Sequence, residues 1–304
     1  MDQLFSTFTN NLLPIMLIAG TGYFLGKSLS INSRSVGRVI FYVFSPALVL
    51  NLLLHNEIPF DQVTRTMSFA GLMFFLTGAI AWAVARLLRL TRPLTIILVL
   101  TSMFGNSGNY GLSLVSFAFG EDALAFASIY FVMSAILFNT VGVLIASLGK
   151  SSWVEAVKGL ARVPTMYAVA LAALINVTGF ELPTVVERTV TTLADGAIPL
   201  MLVLLGLELQ QVTRNGVNLR VAGISVAMRL GVGALLGFLL SLPFGLSGPA
   251  RQAGIIEASV PAAVTNIVLA TEYELEPSLV TAIVFFGTIL SPLSLTPLLV
   301  LLGS

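Results

Sequence analysis

Three glycines, two asparagines and two serines fall within 103-MFGNSGNYGLSL-114, although the surrounding run from Pro93 to Gly120 carries no Asp, Glu, Lys or Arg. Glycine costs a helix about 1 kcal/mol per position, and Asn and Ser compete for backbone hydrogen bonds. The stretch 105-GNSGNYG-111 is therefore expected to open a helix in its middle. A second interruption is expected at 258-ASVPAAVTN-266, where Pro261 removes a backbone donor and clashes with the carbonyl of Glu257, four residues earlier. Two opposed helices broken in this way bring two half-helix N-termini, partly positive and rich in unpaired N–H groups, toward one point. A small anion suits such a point. Asn106, Ser107, Gly108, Asn109, Tyr110, Gly111, Pro261, Ala262, Thr265 and Asn266 are its expected binding residues. The opposed C-termini are left either to hold a cation or to offset one another.

Charges in apolar surroundings are the second chemical signal, since each costs at least ~2.5–3.5 kcal/mol at mid-membrane unless paired or wet. Asp195, Arg229 and Glu257 qualify by position. Asp195 and Glu257 are candidates to bind a coupling proton or sodium ion, and Arg229 to pair with either or to attract substrate; a static structural ion pair is the competing account. Asn51, Asn139 and Ser113 are supporting candidates, with an interhelical hydrogen bond the simpler role for the two asparagines. Glu208 is expected at the interface, and His55 at a loop edge. With no cysteine and this single histidine, no metal site and no cofactor are expected. No HExxH, GxSxG or P-loop is present, and 231-GVGALLG-237 has the wrong spacing for a dinucleotide fingerprint, so no enzyme is expected.

The elements that must hold these residues follow from composition. Of 304 residues, 57% are hydrophobic and 10% charged, with net charge +1, where a soluble domain would be about one-quarter charged. The chain reads as an all-α integral membrane protein, with the bilayer and not nucleic acid as its partner. A spanning helix needs about 20 mainly apolar residues. Ten segments meet that need, near 10–29, 35–55, 64–87, 93–118, 122–148, 158–178, 184–210, 217–243, 249–271 and 277–302. The N-terminal sequence lacks a basic n-region and a cleavage site, so its first apolar run is expected to be a retained span. Odd-numbered loops collect Lys27, Arg34, Arg38, Arg86, Arg89, Arg92, Lys150, Lys158, Arg162, Arg214 and Arg220, against Arg65, Arg188 and Arg251 on the even side. By the positive-inside rule the odd loops are cytoplasmic and both termini extracytoplasmic, in a cell inner (plasma) membrane. Pro14 and Pro164, Pro46 and Pro199, and Asn106 and Pro261 are offset by 150, 153 and 155 residues. A near-constant offset of half the chain suggests duplication, and five spans per half require the copies to be inverted. The expected division is 1–149 and 150–304, with scaffold and transport parts interleaved between the repeats. The GxxxG pairs Gly22/Gly26 and Gly233/Gly237 are expected to pack helices closely, and make a homodimer a candidate.

The stretch 106-NSGNYGLS-113 resembles the N-x-G-x-x-G-x-P motif of the auxin efflux carrier family. Likewise 258-ASVPAAVTNIVLATEYELEP-277 is similar to that family's Ala-x-x-Pro crossover with its acidic-aromatic loop, and 45-SPALVLNLL-53 also looks like it. The resemblance implies an inverted-repeat fold of the bile-acid-symporter and sodium/proton-antiporter kind, in which broken helices 4 and 9 cross. Asn106, Gly108, Gly111 and Pro261 fall on its motif positions, with Ser107, Asn109, Ala262 and Thr265 beside them. Ser113 departs from it, standing where the family motif has proline.

The expected function is secondary transport of a small organic anion, auxin-like or malonate-like, by alternating access at this crossover. An ion antiporter coupled to protons or sodium on the same fold is the alternative. A receptor or scaffold that binds a ligand without moving it is a third reading.

Overall fold

The computed structural model describes residues 2–56, 58–147, 161, 163–210 and 217–304. Among them every regular element is helical and no β-strand forms. Among the described residues seven helices are long and apolar enough to cross a membrane: α1 (Asp2–Leu29), α2 (Ser33–His55), α3 (Phe60–Leu87), then Ser107–Ala146, Thr184–Leu209, Leu219–Ser241 and Pro277–Leu302. Arg92–Met103 and Pro164–Thr178 are shorter apolar helices. Gly248–Ser259 and Thr265–Glu272 complete the set among the described residues. In chain order the remaining helices are α4 (Arg92–Met103), α5 (Ser107–Ala146), α6 (Pro164–Thr178), α7 (Thr184–Leu209), α8 (Leu219–Ser241), α9 (Gly248–Ser259), α10 (Thr265–Glu272) and α11 (Pro277–Leu302). The expected break at 105–111 separates α4 from α5, and that at 258–266 separates α9 from α10. Lys150, Lys158, Arg162, Arg214 and the 149/150 division lie outside the described residues.

No loop separates the expected fourth and fifth spans. The second half of the fourth span, which α4 begins, and the whole of the fifth are the two arms of α5, joined at Gly120, whose φ of 76° and ψ of −164° no side-chain-bearing residue adopts comfortably. The bend there is sharp, because the ring of Phe131 lies against Gly108, positions that about 35 Å of straight helix would separate.

Several helices carry one wide π-type turn, at Phe8–Leu12 in α1, Ile40–Phe44 in α2 and Met228–Val232 in α8 among them. In α1 and α2 the turn stands just ahead of Pro14 and Pro46, where the missing N–H and the crowded carbonyl four residues back disrupt the regular ladder. Glycine sets the helix pairing. A Cβ on Gly22 would collide with the backbone of Val203, and one on Gly206 with that of Ala19, so α1 and α7 touch backbone to backbone. Gly233 does the same for α8 against α9, where a Cβ would meet the Ala258 carbonyl, and Gly237 lies in close contact with Ala258 and Ile255.

The interior around the first break is aromatic. Phe104 stacks on Phe74 with centroids 5.5 Å apart and meets Phe138 edge-on at 5.2 Å, while Phe74 also contacts Tyr130 at 5.5 Å. Phe104 is 1% exposed, so the chain leaving α4 is clamped where its helix ends.

Candidate functional site

α4 ends because Phe104, at φ −101° and ψ 99°, turns out of the helical region, with Gly105 and Asn106 following. α9 ends at Val260, which is extended at φ −66° and ψ 153°, as a residue preceding proline must be. The two freed segments then bond to each other. Asn106 N–H donates to the Pro261 carbonyl at 2.7 Å and Ala263 N–H to the Phe104 carbonyl at 2.9 Å, with Gly105 opposite Ala262 in a single antiparallel bridge. The Asn266 carboxamide also donates to the Phe104 carbonyl, at 3.0 Å. Backbone opened at membrane depth needs such internal partners, since lipid offers none.

Two charges close on this junction. Arg229, from the wide turn of α8, is 2% exposed. Its Nε donates to the Val260 carbonyl at 2.8 Å, Nη2 to the Glu257 carbonyl at 3.0 Å and Nη1 to the Ser102 carbonyl at 3.4 Å. A Cβ at position 105 would collide with this guanidinium, so Gly105 is the notch that admits it. Glu257, from α9, is 0% exposed. Its carboxylate presses on Gly111, where a Cβ would come within 2.5 Å of Oε2. The Ser107 hydroxyl stands beside it without closing a hydrogen bond, and neither carboxylate oxygen has a partner. Ser102 Oγ, Asn106 Nδ2 and Asn266 Oδ1 are likewise unpartnered buried atoms, so orphaned polar atoms gather at this one place. Tyr130 adjoins Arg229, and Tyr110 shares a 2.8 Å hydrogen bond with Ser291 of α11.

Of the ten residues expected to bind an anion, Asn106, Ser107, Tyr110, Gly111, Pro261, Ala262 and Asn266 are buried, Gly108 and Asn109 are half-buried, and Thr265 is exposed. The accessible edge of the first break is thus Gly108–Asn109, in a segment that packs against α7. As the opening residues of α5, they present amides that no intrahelical carbonyl can satisfy. Ser113 donates back to the Asn109 carbonyl at 3.0 Å, occupying the acceptor that a proline there would crowd.

Asp195 stands apart from the two buried charges, exposed on α7. It extends a polar stripe of Thr184, Glu187, Arg188, Thr191 and Thr192, which line a cavity of about 370 Å³. Thr191 donates to Asn51 Oδ1 at 3.1 Å, and His55 Nε2 is 3.7 Å from Glu187. Asn139 donates to the Ala135 carbonyl of its own helix at 2.9 Å. Glu208 is half-buried. Sequence reasoning missed Ser102, Tyr130 and the Thr191 stripe. The stripe has a signal, because polar residues at i, i+3, i+4, i+7, i+8 and i+11 share one helix face. Ser102 and Tyr130 have none, since an isolated Ser or Tyr in an apolar span looks the same wherever it points.

The model of the family described as "Membrane transport protein" matches residues 7–157 and again residues 152–299. An uncharacterized transporter of Methanothermobacter thermautotrophicus is 27% identical over 306 residues, covering 96% of this chain and 98% of its own. One from Methanocaldococcus jannaschii is 25% identical, covering 92% and 94%. The probable auxin efflux carrier component 9 of Oryza sativa subsp. japonica is 26% identical over 141 residues, 45% of this chain and 33% of that protein.

Proposed function

This chain belongs to the Membrane transport protein family, a multi-pass membrane protein, and from that premise we propose that it is a secondary carrier of a small organic anion. The observation that carries the reading is the accessible Gly108–Asn109 edge of an interrupted helix whose remaining polar backbone is sealed against a second interrupted segment. The unpaired amides and partial positive charge of that helix start suit a carboxylate, and the Asn109 side chain adds a neutral hydrogen bond. The auxin efflux carriers among its relatives are named for a carboxylic acid, which supports the same class of cargo.

The architecture proposed for it is ten spans in two inverted five-span repeats, 1–149 and 150–304, with the fourth span (α4 and the first arm of α5) crossing the ninth (α9 and α10). Support comes from the twofold match of the family model to the two halves and from the antiparallel bridge between the breaks. Alternating access would move the junction relative to α1, α2, α6 and α7. The basic odd loops favour a plasma-membrane orientation with both termini outside, and no catalytic role is proposed. A second reading, an ion antiporter on the same fold, is favoured by the unpartnered Glu257 carboxylate, which is chemically able to take up and release a cation.

The test is thermal stability of the purified protein against a panel of small carboxylates, with and without sodium and at two pH values, since a ligand that binds only the folded state raises apparent stability. A carboxylate that stabilises wild type and loses about tenfold or more in affinity in Asn109→Ala, as the loss of one anion-directed hydrogen bond predicts, is the expected result. Stabilisation by pH or sodium alone, with no carboxylate effective, would move the reading to the antiporter.

A further inference from the structure

Two helices end at the junction with their carbonyls converging, α4 at Ser102 and α9 at Glu257 and Val260. The C-terminus of a helix carries about −0.5 of an elementary charge, so the pair presents roughly one negative charge in a site shut off from water. Membrane carriers with broken helices commonly place a coupling cation against such ends. Here the position is filled from within. The Arg229 guanidinium reaches carbonyls of both helices, through Nε to Val260, Nη2 to Glu257 and Nη1 to Ser102. A guanidinium stays charged at any pH a protein survives and carries only donors, which matches a cluster of carbonyls as a monovalent cation would. Gly105 keeps the space open for it. Besides the neutral Tyr130 hydroxyl beside it, its hydrogen-bond partners are these three main-chain oxygens; the Glu257 carboxylate lies close enough to be felt electrostatically, but its oxygens make no hydrogen bond, so the arginine is committed mainly to the helix ends.

We infer that Arg229 is the resident cation of the junction, a positioning residue that does the work of a bound metal ion and leaves the protein with no sodium requirement there. The charge is covalently held, so it cannot leave with the substrate or be exchanged across the membrane. This inference stands independently of the organic-anion reading, because its readout needs no substrate.

The experiment measures unfolding midpoints of the full chain in micelles, in chlorides of choline, sodium, lithium and methylguanidinium at equal ionic strength. Wild type, Arg229→Lys and Arg229→Gln are compared. Wild type is expected to be indifferent to the cation. Arg229→Lys, which keeps the charge, should lose part of the midpoint and remain indifferent. Arg229→Gln, which keeps a donor but no charge, should lose more and recover selectively with low-millimolar methylguanidinium over choline. A saturable stabilisation of wild type by sodium would overturn the inference, and so would an Arg229→Gln midpoint equal to or above that of Arg229→Lys. If neither variant folds, the wild-type comparison still decides the sodium question.

Discussion

The interruption after α4 and the one after α9 end their helices with opposite chemistry. The first uses glycine and the second proline, and the neighbours of each explain the choice. Gly105 and Gly111 are hollows that receive Arg229 and Glu257, side chains supplied by α8 and α9. Pro261 receives nothing; it strips a donor from the chain and leaves the carbonyls of Glu257 and Val260 facing Arg229. One break is a socket and the other presents the groups that line it. A helix can be broken by several residue types, but only glycine also leaves volume for a foreign side chain at the break.

The contrast can be broken most forcefully at Gly105. Gly105→Ala drives a Cβ into a guanidinium pinned by three hydrogen bonds, so we expect a loss of about 3 kcal/mol or more in folding stability; denaturant titration in micelles checks it, and a loss under about 1 kcal/mol would mean the socket is not tight. Gly111→Ala should cost less, about 2 kcal/mol, because the Glu257 carboxylate is the end of a flexible chain with no hydrogen bond to hold it in place. Pro261→Ala should cost about 1 kcal/mol or less. The restored N–H would seek the Glu257 carbonyl, which Arg229 already occupies, so the break persists; hydrogen exchange showing a protected amide at 261 in a continuous helix would contradict this. At the small end, Gly20→Ala in α1 and Gly223→Ala in α8 meet nothing within 4 Å and should be neutral or stabilising by up to about 1 kcal/mol. If they destabilise as much as Gly105→Ala, the distinction between socket glycines and ordinary helix glycines fails.

Much of this was legible in the residues. The ends of α2, α7 and α11 fall within two residues of those expected from apolar length alone, because the thickness of a bilayer leaves little freedom. Both breaks lie where glycine with asparagine, and proline, forbid a regular helix. The pairing of Gly22 with α7 and of Gly233 and Gly237 with α9 follows the small-residue rule for close helix contact. Less was legible about the charges. Asp195, Arg229 and Glu257 have equal standing by depth, yet the first is exposed on α7 while the other two are sealed at the junction. Depth is a property of position along the chain; the direction a side chain faces depends on how each helix is rotated against its neighbours.

Composition and local propensity therefore determined that this chain lives in a membrane, where its helices run and where two of them must stop, since those outcomes depend on solvent and backbone sterics within a few residues. Only the tertiary structure decided that the two stops are bonded to each other, that Arg229 caps two helix ends at once and that Gly105 and Gly111 exist for side chains 124 and 146 residues away. Those contacts join distant parts of the chain, and nothing local to a glycine states what will fill the space it leaves.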